Sequence, residues 1–80
     1  MNAVDRVLRG NLLRLRVDRR LTQLDVASQM QARGHAWHQP TVYKVEAGLR
    51  RMFVSEAVAL AEVLGVDLDL LLTVRAPVAV

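Results

Sequence analysis

The 80-residue sequence contains no cysteine, one lysine, and a single tryptophan, tyrosine and phenylalanine. Without cysteine there is no disulfide framework, thiolate zinc site or cysteine nucleophile, which is typical of an intracellular setting. No segment approaches the ~20 apolar residues needed to cross a bilayer, and the first residues lack a signal-peptide apolar run. We therefore expect a soluble, cytoplasmic protein with no membrane association, built as one domain around a single modest core.

Catalytic patterns are also missing. Ser28 and Ser55 lack the Gly-rich turn of a hydrolase nucleophile, and no phosphate-binding loop or paired-carboxylate motif occurs. His35 and His38 offer only two ligand nitrogens, which are too few for a zinc site. The sequence predicts a protein that is not an enzyme and that uses no metal or cofactor.

Positive charge is concentrated in one part of the chain. Residues 1–53 hold ten of the eleven Lys and Arg residues against four acids, a net charge of +6. Residues 54–80 hold one Arg against four acids, a net charge of −3. A basic face for a polyanion explains this split, and so does solvation of helices by arginine, so charge alone leaves both interpretations open.

Apolar spacing predicts two helices in the first half of the chain. The stripe of the first helix consists of Val4, Leu8, Leu12 and Leu15. Thr22 and Asp25 then form a capping-box pattern that begins a second helix, which extends to about Arg33. The buried face of the second helix consists of Val26, Ala27 and Met30.

A third helix is predicted from Pro40, which lacks an N–H and fits only the first helical turn. The helix should begin at His38 or Gln39 and end before Gly48. Its inward positions are Thr41, Val42 and Val45.

Two further helices complete the predicted fold. The apolar stripe of the fourth helix, which Gly65 ends, consists of Val54, Ala57, Val58, Ala61 and Leu64. Asp67 is the expected cap of a short fifth helix, LDLLL. The segment TVRAPVAV gives a weak strand signal, interrupted by Pro77.

Three segments in order, LTQLDVASQM, TVYKVEAG and VSEAVALAEVLGVDLDLLL, resemble the helix-turn-helix domains of the Cro and phage-repressor type. The resemblance covers about residues 12–72. It implies an all-α, compact five-helix bundle, lambda-repressor-like, over residues 1–73, followed by an apolar C-terminal tail at 74–80. The third helix of such a domain lies in the major groove of double-stranded DNA, and the second helix crosses above it.

The resemblance also implies roles for single residues. Gln23 matches a glutamine that touches the sugar-phosphate backbone, and Glu46 matches an acid that serves structure. Gln39, Pro40 and Lys44 stand at base-reading positions, and glutamine suits adenine as lysine suits guanine. The complete predicted DNA-binding set, in which the two arginines suit phosphate, is Gln23, His38, Gln39, Pro40, Thr41, Tyr43, Lys44, Arg50 and Arg51.

This sequence departs from the family pattern at three places. The connection QARGHAWHQP is about five residues longer than the usual turn, so residues 34–37 should form a longer link. Arg20 stands where many relatives have a glycine, and Phe53 stands where a polar helix cap is expected.

The aromatic and histidine side chains of the long connection have separate expected roles. Trp37 is predicted to pack in the core rather than to contact DNA. His38 should lie near phosphate at the start of the third helix, and His35 should be an exposed loop residue. Tyr43 points outward, which suits either DNA contact or simple exposure.

The function implied is a sequence-specific DNA-binding transcriptional regulator, favoured as a repressor, that occupies a palindromic operator as a homodimer. The dimer surface is either LDLLLTVRAPVAV or Leu13 with Val17, and internal packing explains the tail equally well. The alternative is an antitoxin or partner-binding module that binds a protein through the tail and uses the helix-turn-helix for autoregulation. A detached piece of a larger regulator also fits.

Overall fold

The computed structural model describes residues 2–74, which form five helices and no strand. The helices are α1 Ala3–Asp18, α2 Gln23–Ala32, α3 Gln39–Glu46, α4 Val54–Leu64 and α5 Leu68–Leu72. The predicted all-α five-helix bundle is therefore confirmed. The segment with the weak strand signal lies, from residue 75 onward, outside the described residues.

Helices α1 to α4 all end with the same backbone motif. A residue with positive φ follows each helix, and the next amide donates back across the last turn, as in the Schellman motif. These residues and their φ angles are Arg20 (57°), Gly34 (87°), Gly48 (77°) and Gly65 (68°). The left-handed conformation costs a residue with a side chain roughly 1–2 kcal/mol. Arg20 thus occupies a position that favours glycine.

The core is formed where α2 packs on α3 and α4, and where α1 packs on α3 and α5. Its largest fully buried side chains are Trp37, Leu12, Met30, Leu60, Leu64, Leu71, Val26 and Val42. The predicted buried face of α2 is confirmed. In α3, Val42 and Val45 are buried as predicted, and Thr41 is half-buried.

The predicted apolar stripes of α1 and α4 are wrong at three valines. Val4, Val54 and Val58 are 55%, 79% and 42% exposed, respectively. Val4 lies in the first turn of α1, beyond the edge of the core. In α4, the sequence VSEAVALAEVL is apolar on almost every side, so the spacing of its apolar residues is compatible with more than one buried face. The face that is buried in the structure includes Ala59 and Leu60.

Helix α5 packs on α1 through the buried Leu71, and one uncharged side chain of α1 adds hydrogen bonds to its C-terminal end. Asn11 is 6% exposed, and its Nδ2 donates to the carbonyl oxygens of Leu70, Leu71 and Thr73 at 3.1, 2.8 and 3.0 Å. A helix of five residues is too short to be stable alone, and its last carbonyls need partners. Asn11 supplies that partner. Asp67 lies at the N-cap position, but its side chain makes no capping hydrogen bond.

Candidate nucleic-acid interface

The start of α2 is fixed by the predicted capping box, which is confirmed. The amide of Asp25 donates to Thr22 Oγ1 at 2.9 Å, and the amide of Thr22 donates to Asp25 Oδ2 at 2.8 Å. Hydrogen bonds from the Thr22 backbone and hydroxyl lower the pKa of Asp25. The cap places Gln23 in the first turn of α2.

The start of α3 combines a proline in the first turn with a hydrogen bond from the N-cap amide to a side chain of that turn. Pro40 lies in the first turn, where no N–H is needed, and the amide of His38 donates to Thr41 Oγ1 at 3.1 Å. The exposed residues of α3 and its C-cap recur at steps of three and four, so they share one face. They are Gln39, Pro40, Tyr43, Lys44 and Ala47.

A hydrogen-bonded network joins this exposed face to α1 and α2. Arg16 donates from Nε and Nη2 to the two carboxylate oxygens of Glu46 at 2.6 and 3.1 Å, and from Nη1 to the carbonyl of Leu21 at 2.9 Å. Gln23 Nε2 donates to Glu46 Oε1 at 2.9 Å, and Gln39 Nε2 donates to Gln23 Oε1 at 2.7 Å. Two predicted interface residues, Gln23 and Gln39, are therefore brought together.

Other predicted interface residues are less constrained. Within the part of the chain that the structure describes, Tyr43 and Lys44 are exposed and make no side-chain hydrogen bond. His38 is exposed, with Nδ1 3.4 Å from Gln31 Nε2. Arg51 has a 73% exposed side chain, and its Nε forms an ion pair with Asp5 Oδ2 at 3.1 Å. Asp5 Oδ2 accepts no hydrogen bond from the described residues.

Arg50 has a different environment from Arg51. Its Nη1 and Nη2 donate to the two carboxylate oxygens of Glu56 at 3.1 and 2.9 Å, and its guanidinium lies 5.5 Å from the centre of the Trp37 ring. Trp37 is 1% exposed, which confirms its predicted place in the core. The guanidinium that was predicted to meet phosphate is thus already engaged by protein groups. The prediction that His35 is exposed is wrong, since this residue is half-buried, next to the last turn of α2, where its amide donates to the carbonyl of Met30 at 3.1 Å.

Glu56 is the most perturbed carboxylate among the described residues. It accepts from Trp37 Nε1 at 2.6 Å and from the amide of Phe53 at 2.8 Å, in addition to Arg50. Burial raises the pKa of Glu56, but the hydrogen bonds from Arg50, Trp37 and Phe53 outweigh it and lower the pKa from 4.5 to about 2. The Phe53 contact also explains how α4 starts without a polar residue at its N-cap.

Two residues that organise this region were not predicted from the sequence. Arg16 lies 30 residues from Glu46, and Glu56 lies 19 residues from Trp37, so neither of these contacts follows from a local motif. A signal for Arg16 did exist, because the family pattern assigns Glu46 a structural role and a buried carboxylate needs a partner. It could not single out Arg16 among the ten arginines of the sequence.

Residues 7–73 match the family model described as a helix-turn-helix domain. The match covers most of the chain, which therefore belongs to this family and is a helix-turn-helix domain of the Cro kind. Domains of this family are typical of DNA-binding regulators and are typically not enzymes. Neither the curated proteins nor the solved structures gave a significant match. Along residues 2–74, no helix has the length and hydropathy of a membrane span.

Proposed function

We propose that this protein is a transcriptional repressor that binds a specific double-stranded DNA operator. The observation that carries the proposal is the exposed polar face of α3, with Gln39 held by Gln23 and Lys44 free of protein partners among residues 2–74. A helix presenting such a face fits the major groove, where base edges carry a distinct donor and acceptor pattern. A repressor of this kind acts by occupying its operator and excluding polymerase.

Gln39 and Lys44 are the proposed base-reading residues. One Nε2 hydrogen of Gln39 bonds to Gln23, which leaves the other hydrogen and Oε1 for adenine N7 and N6. The bond also fixes which way the amide faces before DNA arrives. Lys44 donates to guanine O6 or N7, and the Pro40 ring offers an apolar surface to a thymine methyl group.

The remaining interface residues are proposed to position the domain on the backbone. Gln23, His38 and Arg51 are at least partly exposed and offer donors to phosphate, which orient a protein without reading sequence. Thr41 is half-buried and caps α3, and Tyr43 flanks the base-reading residues.

We propose that the protein binds as a homodimer, with half-sites one helical turn apart, near 34 Å. Apolar exposure in α5 and just after it supports this, since Leu70, Leu72 and Val74 are 46%, 39% and 69% exposed. Leu13 and Val17, 43% and 57% exposed, are the second option on α1. Burial of either set between two copies would remove apolar surface from water.

Selection of bound sequences from a random duplex library at ~0.15 M salt, with light scattering of the complex, tests the proposal. We expect a short inverted repeat bound by two chains. Failure to enrich any sequence, with only weak salt-sensitive binding, would reject the repressor proposal and favour the partner-binding alternative.

Substitutions separate the two kinds of contact. Gln39→Ala and Lys44→Ala should each relax preference at one operator position and weaken specific binding by about 1–3 kcal/mol. Arg51→Ala should weaken operator and random DNA alike and flatten the salt dependence. An unchanged selected sequence for both α3 variants would show that other residues read the bases.

A further inference from the structure

We propose that Glu56 is a positioning residue for the DNA-reading helix, because it binds the residue before the N-cap of α3 and a residue of the loop after α3. It accepts from Trp37, one residue before the N-cap His38, and from Arg50, three residues after the C-cap Ala47. Glu56 itself lies in the first turn of α4. One carboxylate therefore couples both flanks of α3 to α4. This inference rests on the proposed function.

The flank before α3 needs such an anchor because the connection is long. Six residues, 33–38, separate α2 from α3, and a longer segment has more conformations to restrict. Trp37 is the residue through which the connection is fixed to α2 and α4. Its carbonyl accepts from Gln31 Nε2 at 2.6 Å, its ring is buried, and its indole N–H donates to Glu56 at 2.6 Å.

The flank after α3 is tied to the same carboxylate by Arg50. The two-point contact of its guanidinium with Glu56 fixes an orientation as well as a distance. The same guanidinium stacks over the Trp37 ring, so the two flanks also contact each other directly. Arg50 Nη1 donates to the carbonyl of Arg51 at 3.1 Å, which shapes the loop that carries the exposed arginine.

The effect of neutralising Glu56 on DNA affinity has one sign if Glu56 positions α3 and the opposite sign if the region acts only through its charge. If Arg50 served chiefly as a phosphate contact, neutralising Glu56 would free it and add one positive charge, so DNA binding would become tighter. If Glu56 positions α3, neutralising it loosens both flanks, so operator binding weakens despite the added charge. The sign of the change separates the two roles.

The test compares Glu56→Gln with wild type on the selected operator and on random DNA. We expect operator affinity to fall about tenfold, with random DNA bound as in wild type or slightly more tightly. Glu62→Gln is the matched control, since it removes the same charge from α4 at a 63% exposed side chain that, among residues 2–74, pairs with Arg33 alone. Equal or tighter operator binding by folded Glu56→Gln would overturn the inference.

Arg50→Lys provides a second test that does not depend on the folding of the first variant. Lysine keeps the positive charge but cannot make the planar two-point contact or the same stacking. The expected result is a reduced ratio of operator to random affinity with an unchanged salt slope. A wild-type ratio would overturn the inference.

Trp37, the only tryptophan, reports the network directly. Its fluorescence should change in Glu56→Gln and Arg50→Lys but not in Glu62→Gln. Identical spectra in all three variants would contradict the proposed coupling. Wild type measured alongside keeps the two proposals apart: no operator binding by wild type rejects the proposed function and this inference with it, whereas normal wild-type binding with unaffected variants rejects the inference alone.

Discussion

Two glutamate–arginine pairs with buried carboxylates lie at and beside α3, the helix proposed to read DNA, and they differ in what else each glutamate binds. Glu46 and Glu56 both have 7% exposed side chains and both bind an arginine through two oxygens. Glu46 also accepts from Gln23, which in turn orients Gln39. Glu56 instead accepts from Trp37 and from a backbone amide. A glutamate–arginine pair thus orients the side chains of α2 and α3 at Glu46, whereas at Glu56 it fixes the chain segments before and after α3.

The largest expected effect comes from Glu46→Ala. It leaves Arg16, with a 14% exposed side chain, without its buried counter-charge, and should lower the free energy of unfolding by about 3–5 kcal/mol. Urea denaturation at pH 7 measures this. Asp18→Ala is the control, because the exposed Arg14–Asp18 pair at 3.9 Å should contribute no more than about 0.5 kcal/mol. Similar losses in both variants would contradict the distinction between buried and exposed pairs.

Acid titration should single out the Glu56 pair. The folded-state pKa of about 2 lies below the ordinary 4.5, so the ionised carboxylate stabilises the fold. This contribution is complete above about pH 4.5 and is lost as the pH falls towards 2; it amounts to roughly 3 kcal/mol. Urea denaturation at a series of pH values checks this. Glu56→Gln should be less stable than wild type at pH 7, with a flatter dependence in that window. Parallel curves for both proteins would show that Glu56 is not responsible.

An uncharged buried contact should give an intermediate effect. Asn11→Ala removes the donor that serves three carbonyls at the end of α5 and should lower the free energy of unfolding by about 1–3 kcal/mol. Hydrogen exchange should show the loss of protection in α5 first. Asn2→Ala, which removes only the exposed cap of α1, is the comparison and should leave α5 protected.

The smallest expected effect has the opposite sign. Arg20→Gly should raise the free energy of unfolding by about 0.5–1 kcal/mol, because glycine adopts the positive φ of 57° without strain. Thermal unfolding measures the change. Arg19→Gly removes the same charge one residue earlier, where φ is −90° and glycine relieves nothing. Stabilisation by both variants would mean that charge rather than backbone strain is the cause.

Much of the fold follows from local sequence signals. Thr22 with Asp25, Pro40 in the first turn of α3, and glycines after three helices define helix ends through interactions within a few residues. The substitution at Arg20 also identified a strained position, because the family pattern has glycine there. Such features can be read from the sequence since both partners lie close together along the chain.

The buried face of α4 and the networks around α3 could not be predicted in the same way. Nearly every position of α4 is apolar, so the choice between faces depends on Glu56 meeting Trp37 and Arg50 in space. The sequence separation of Arg16 and Glu46 is 30 residues, and many arginines could have filled that role. Which of the interface residues touch DNA remains a prediction that the binding experiments test.

The uncharged contact at Asn11 and the charged contact at Glu56 should respond differently to acid. An amide does not titrate and is little affected by salt, so the joint between α1 and α5 is insensitive to acid. The joint that Glu56 makes on both sides of α3 depends on an ionised carboxylate and weakens when that carboxylate is protonated. As the pH falls, the surface proposed to read DNA should therefore loosen while the scaffold beneath it is still assembled, so recognition is lost before the fold.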